Sequence, residues 1–111
     1  MTAHLTTHVL DAATGKPAPG VGLSLAEASG AVVATGTTDA DGRAGLGPEL
    51  LSPGAYALTF ATGAYFAARG TDTFYPSVTV AFRVDVADTS GRHLHVPLLL
   101  SPFAYSTYRG S

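Results

Sequence analysis

Apolar side chains recur at every second position in short stretches, and turn-forming residues separate those stretches. Val21, Leu23 and Leu25 alternate with Gly22, Ser24 and Ala26. Tyr56, Leu58 and Phe60 alternate with Ala57, Thr59 and Ala61, and Val78, Val80, Phe82 and Val84 with Thr79, Ala81, Arg83 and Asp85. Successive side chains of a strand point to opposite faces, so this spacing gives each stretch one buried and one outer face. The breaks fall at Thr14 to Gly20, Ser29-Gly30, Asp39 to Gly42, Ser52-Pro53-Gly54 and Thr89-Ser90-Gly91. Their Gly, Pro, Asp and Ser content is the chemistry of turns. Short strands punctuated this way predict an all-β sandwich or barrel. The one helical candidate is Thr62 to Arg69, whose small residues suit a short helix and which Gly70 would stop.

A chain of 111 residues fits one domain, expected over 1–111, and can still bury a core. Only 13% of its residues are charged, against about 25% in an ordinary soluble domain. With 46% hydrophobic residues, 19 alanines and 13 glycines, two explanations compete. The surface is either rich in small residues or partly hidden in an oligomer. The six basic residues are scattered and the net charge is −2, which argues against a nucleic-acid binder. No apolar run approaches the ~20 residues of a membrane span. The absence of cysteine excludes disulfides, thiolate zinc sites and cysteine nucleophiles. Met1 to Val9 lacks a basic segment followed by an apolar one, so no secretory signal is expected and the location is read as cytoplasmic.

His93 and His95 lie two apart in His93-Leu94-His95-Val96-Pro97. On a strand they share one face, and Leu94, Val96, Leu98 and Leu100 share the other. His8 lies in Leu5 to Asp11, on a face with Thr6 and Leu10. Imidazole is the side chain best suited to proton transfer near neutral pH. Three histidines with a His-x-His pair are also a pattern for zinc, and such pairs are more often ordinary surface or hydrogen-bonded residues. Arg43, after Asp41-Gly42, reads as a solvated turn arginine or as an anion clamp with a rigid fork of donors. Asp39 and Asp41 read as turn formers. Ser24, Ser29 and Ser52 have no nucleophile-elbow context. The ending Tyr108-Arg109-Gly110-Ser111 is either a frayed terminus or a functional tail.

Three segments together resemble the transthyretin-related 5-hydroxyisourate hydrolases. Leu5-Thr6-Thr7-His8-Val9-Leu10-Asp11 with Thr14-Gly15-Lys16-Pro17-Ala18 is similar to their N-terminal signature. His95-Val96-Pro97-Leu98-Leu99-Leu100-Ser101-Pro102 is similar to that of their penultimate strand, and Tyr108-Arg109-Gly110-Ser111 to their C-terminal tetrapeptide. Phe74-Tyr75-Pro76 and Thr38 to Arg43 also fit. The middle segments resemble non-catalytic carboxypeptidase regulatory-type modules as well, so the two termini carry the distinction.

The resemblance implies a seven- to eight-stranded β-sandwich with one short helix, assembled as a homotetramer, a dimer of dimers with active sites in a channel. It implies metal-independent hydrolysis of 5-hydroxyisourate to 2-oxo-4-hydroxy-4-carboxy-5-ureidoimidazoline in urate degradation, with no cofactor. His8, Arg43 and His95 match the family's catalytic positions without departure, and the resemblance also implies a catalytic part for Ser111 and substrate contact for His8. The implied roles are water activation and proton delivery for His8 and His95, and substrate binding with charge stabilisation for Arg43. Tyr108, Arg109 and Gly110 then belong to the substrate-binding tail, and Ser111 hydrogen-bonds the site or its water. His4 and His93 are left without a catalytic role, His93 at most lining the channel. The alternatives are a non-catalytic transthyretin-like or carboxypeptidase-regulatory-like binding module, and a zinc hydrolase using His8, His93 and His95. The strand faces carrying His8, His93 and His95 also carry Leu10, Pro97 and Leu99, so the charge deficit is read as an apolar interface between subunits.

Overall fold

The computed structural model describes residues 3–90 and 93–110. Among them are ten strands. They are β1 (Leu5–Asp11), β2 (Lys16–Pro17), β3 (Gly22–Glu27), β4 (Val32–Thr37), β5 (Arg43–Leu46), β6 (Gly54–Phe60), β7 (Val78–Val84), β8 (Leu94–His95), β9 (Leu98–Ser101) and β10 (Ala104–Thr107). Eight of these exceed two residues, in line with the sandwich that the sequence predicts. One helix, α1 (Thr62–Ala67), and a 3-10 turn over Val86–Ser90 complete the elements.

The strands form two sheets. One runs β4-β3-β6-β7, antiparallel throughout. The other runs β10-β9-β1-β2, with β5 and β8 also paired to β1. The period-two pattern sorts residues between core and outside as expected. In β1, Leu5, Thr7, Val9 and Asp11 are buried while Thr6, His8 and Leu10 are half-buried. Leu5, Val9, Leu98 and Leu100 of one sheet join Leu23, Leu25, Leu58 and Phe60 of the other in a single buried cluster. Burying each such side chain stabilises the fold by about 1.5–3 kcal/mol.

Helix α1 ends at Ala67, two residues before the expected Arg69. The amides of Arg69 and Gly70 donate to the carbonyls of Phe66 and Ala67, three residues back, which tightens the last turn out of α-helical pitch. Gly70 then takes φ 64°, where a side chain would be strained. Tyr65 anchors the helix to β1 through a 2.9 Å hydrogen bond from its hydroxyl to Asp11 Oδ2.

Between β8 and β9 lies Pro97, which has no N–H to give to the β1 ladder, so one extended segment reads as two short strands. Pro97 is buried within the single chain. Read from sequence as interface surface alongside Leu10 and Leu99, it is instead covered by its own chain, and its carbonyl receives the Thr107 hydroxyl at 2.8 Å. Leu10 is half-buried and Leu99 is 36% exposed.

Candidate active site

Strand β1 organises the candidate residues by being paired on both sides. On one side it runs antiparallel to β5, with His8 opposite Arg43 and Thr6 opposite Gly45. On the other it runs parallel to β8, with Thr6 opposite His95. Directly paired residues project from the same sheet face. The outer face of β1 therefore carries Thr6 and His8 with Arg43 and His95 to either side of them.

The Asp39–Arg43 turn sets where Arg43 sits. Asp39 Oδ1 accepts the amides of Asp41 at 2.9 Å and Arg43 at 3.0 Å. The Arg43 amide is the main reason the Asp39 carboxyl is held below its ordinary value; desolvation opposes it, and the Asp41 amide adds to it. Asp39 is thus a turn former, as its context suggests. The Gly42 carbonyl receives the Val9 amide at 2.7 Å, and a Cβ at Gly42, which has φ 74°, would strike the Val9 carbonyl. Only glycine lets the turn press this closely on β1. Arg43 is exposed, and among the described residues its guanidinium has no hydrogen-bond or ion-pair partner. It is free to meet an anion.

His95 is half-buried, and its Nδ1 lies 2.9 Å from the Thr6 hydroxyl. Burial lowers its pKa first, followed by the charges of His93, Arg43 and His8. A neutral imidazole able to accept a proton is favoured there. His93, exposed, approaches the same hydroxyl with Nε2 at 2.7 Å, and its ring runs nearly parallel to that of His95 at 6.4 Å. His4 is a packing residue: it is buried, and its Nδ1 accepts the Leu51 amide at 2.8 Å.

The tail is clamped onto this site. The Gly110 amide donates to the His95 carbonyl at 2.9 Å. Arg109 reaches Asp88 at 2.9 Å, and Asp88 is only 2% exposed. The Arg109 head group, expected to meet substrate, is therefore engaged by a buried carboxylate that motif reading did not single out. Tyr108 is 60% exposed. Ser111 lies outside the described residues. A cleft of about 300 Å³ runs between β7 and the tail, with Phe82, Leu94, His95, Thr107, Tyr108 and Arg109 in its wall. It contains neither His8 nor Arg43, which sit on the open sheet beside it. Among the described residues no three His, Asp or Glu side chains converge as a metal site requires. What lies between His93 and His95 is a hydroxyl.

The family model described as the HIUase/Transthyretin family matches residues 5–110. The chain belongs to the HIUase/transthyretin family. A 5-hydroxyisourate hydrolase of Caulobacter vibrioides is 47% identical to it, covering 96% of this chain and 97% of that relative. The structure of Klebsiella pneumoniae 5-hydroxyisourate hydrolase superposes with a TM-score of 0.86 at 40% identity, covering 96% of this chain and 98% of the other. Sea bream transthyretin, solved in complex with thyroxine, superposes with a TM-score of 0.84 at 33% identity, covering 97% and 95%. In this member of the HIUase/transthyretin family Thr6 was partly legible from sequence, through its shared face with His8. Asp88 was not, because its partner lies 21 residues away.

Proposed function

We infer that this chain is a 5-hydroxyisourate hydrolase, opening the cyclic amide-like bond of its substrate with water in urate degradation. The observation that carries the reading is the β1 register, which sets His8 against Arg43 and Thr6 against His95 on one face. Hydrolysis needs a group to take a proton from water and another to stabilise charge on the attacked carbonyl. A neutral imidazole meets the first need, and a guanidinium, permanently charged with a fork of donors, meets the second. In this reading water bonds to the carbonyl carbon as His8 or His95 takes its proton. Arg43 faces the developing oxyanion. The C–N bond then breaks, and the nitrogen recovers the proton from a histidine. No metal enters the scheme. Tyr108 and Gly110 wall the site, and Arg109 holds the tail through Asp88.

A homotetramer, as a dimer of dimers, belongs to the same proposal. Its support is the open position of His8 and Arg43 beside the cleft and the exposure of Phe103, Tyr105 and Tyr108.

The test is the decay of freshly generated 5-hydroxyisourate followed by ultraviolet absorbance. The protein should accelerate it, and His8→Ala, Arg43→Ala and His95→Ala should each remove most of the acceleration while remaining folded. Full activity in all three overturns the site. A chelator should leave the rate unchanged; loss restored by zinc would favour the metal hydrolase. Deleting residues 108–111 should abolish activity, whereas a binding module would keep its properties without them.

A further inference from the structure

The Thr6 hydroxyl sits between two imidazole nitrogens, 2.7 Å from His93 Nε2 and 2.9 Å from His95 Nδ1. It also lies 3.5 Å from the Leu94 carbonyl. A hydroxyl has one proton to give and two lone pairs to receive. It can donate to only one ring, so the nitrogen facing it from the other ring must carry a hydrogen. We propose that Thr6 and His93 are positioning residues for His95: the shared hydroxyl ties the protonation states of the two rings together and lets His93 hold the proton that His95 takes up. This rests on the reading of His95 as a proton acceptor in hydrolysis.

The resting arrangement follows from what a base requires. His95 Nδ1–H donates to Thr6 Oγ1, and the Thr6 O–H donates to His93 Nε2. The other nitrogen of His95, Nε2, then presents a bare lone pair. When Nε2 takes a proton from water, the positive charge has somewhere to go. The Nδ1–H bond breaks as a new O–H forms on Thr6, and the original Thr6 O–H breaks as an N–H forms on His93 Nε2. His95 is neutral again and His93 is imidazolium. The reverse double transfer returns the charge to His95 when the leaving nitrogen needs its proton. Atoms and charge balance at each step, and no outside reagent is required.

The surroundings favour this direction. Charge on His95 faces His8 from β1, Arg43 from β5 and His93 on its own segment, in a half-buried position. Arg109 lines the same cleft but is neutralised by Asp88. His93 is exposed, so water solvates a charge placed there. The parallel ladder fixes the geometry: Leu94 donates its amide to the His4 carbonyl and Val96 to the Thr6 carbonyl, which holds both rings on the Thr6 side.

The experiment uses the full chain with Thr6→Val, Thr6→Ser, His93→Phe and the double variant Thr6→Val/His93→Phe. Thr6→Val and His93→Phe should each lower kcat by ~10-fold or more, within the range of acid–base contributions, with KM little changed. The double variant should be no worse than the worse single one, and Thr6→Ser should restore most of the rate. The acid limb of the pH profile should move in Thr6→Val. The ¹⁵N spectrum of His95 should report a protonated Nδ1 in the wild type and a mixed tautomer in Thr6→Val. Wild-type kcat and pH profile in folded Thr6→Val and His93→Phe, with His95→Ala inactive, overturn the relay and leave the hydrolase reading standing. An active His95→Ala overturns the base assignment instead. In that event the ¹⁵N result alone decides the tautomer coupling, and an unchanged His95 spectrum in Thr6→Val refutes it.

Discussion

A Cβ at position 110 would lie 2.5 Å from Cδ2 and 3.1 Å from Cγ of the His95 ring. Glycine here serves close approach, bringing the tail backbone against an imidazole. Gly110→Ala should push the ring or the tail out of place and lower kcat/KM by ~10-fold or more, since small misplacements at a reacting centre are costly. Its melting temperature should change little, and unchanged hydrolysis would refute the contact's role. At His95 itself, burial and then His93, Arg43 and His8 lower the pKa below 6.5. The folded ring therefore stays neutral at a pH where the unfolded one is protonated. The unfolded state binds the extra proton, so this contribution to stability is complete above 6.5 and is lost as pH falls through the lower folded value. The acid limb of kcat/KM should accordingly have its midpoint below 6.5; a midpoint at or above that value contradicts the assignment of His95 as the base.

At the scale of elements, the short helix α1 depends on one polar contact to β1. Asp11 Oδ1 accepts the amides of Ala13 at 3.0 Å and Thr14 at 3.3 Å, and Oδ2 accepts the Tyr65 hydroxyl at 2.9 Å. Removing that hydroxyl leaves a buried carboxylate oxygen short of a donor. Tyr65→Phe should cost about 1–3 kcal/mol, read as a shift in the urea midpoint. The Tyr65 pKa is raised to about 12, mostly by burial and then by Asp11. Its contribution to stability is present below the ordinary 10.0 and lost as pH rises through about 12. The Phe variant should therefore lose less stability than the wild type across that alkaline window. Equal losses would mean that Tyr65 titrates normally. The boundary of α1 also shows where local reading stops: Gly70 marks the region of the stop, but the hydrogen bonds that close the turn decide that it falls at Ala67.

For the whole molecule, a charged fraction of 13% now has a location. Phe103 and Tyr105, on and beside β10, and Tyr108 in the tail are exposed large side chains. Leu99 is also exposed, on the same face as Leu10, its partner in the β1 ladder. Burial of such a surface between subunits is favourable at about 25 cal/mol per Å². The tetramer proposal predicts a light-scattering mass four times the 11.2 kDa of the chain, with activity falling in step with mass on dilution. A stable monomer with full activity would return the low charge to a Gly/Ala-rich composition.

The sequence by itself determined the face on which each candidate residue lies. Alternation is a local property, and Thr6, His8 and His95 could be assigned to outer faces from spacing alone. It also supplied the turn residues and the terminal motifs on which the family resemblance rests. Only the tertiary structure decided which faces meet. His8 is set opposite Arg43, and Thr6 reaches His95 from 89 residues away, because β1 takes an antiparallel partner on one side and a parallel partner on the other. Asp88, in the 3-10 turn after β7, likewise meets Arg109 of the tail only in the folded chain. Periodicity fixes where a side chain points, whereas pairing across a sheet is set by the packing of distant strands, which no local spacing encodes.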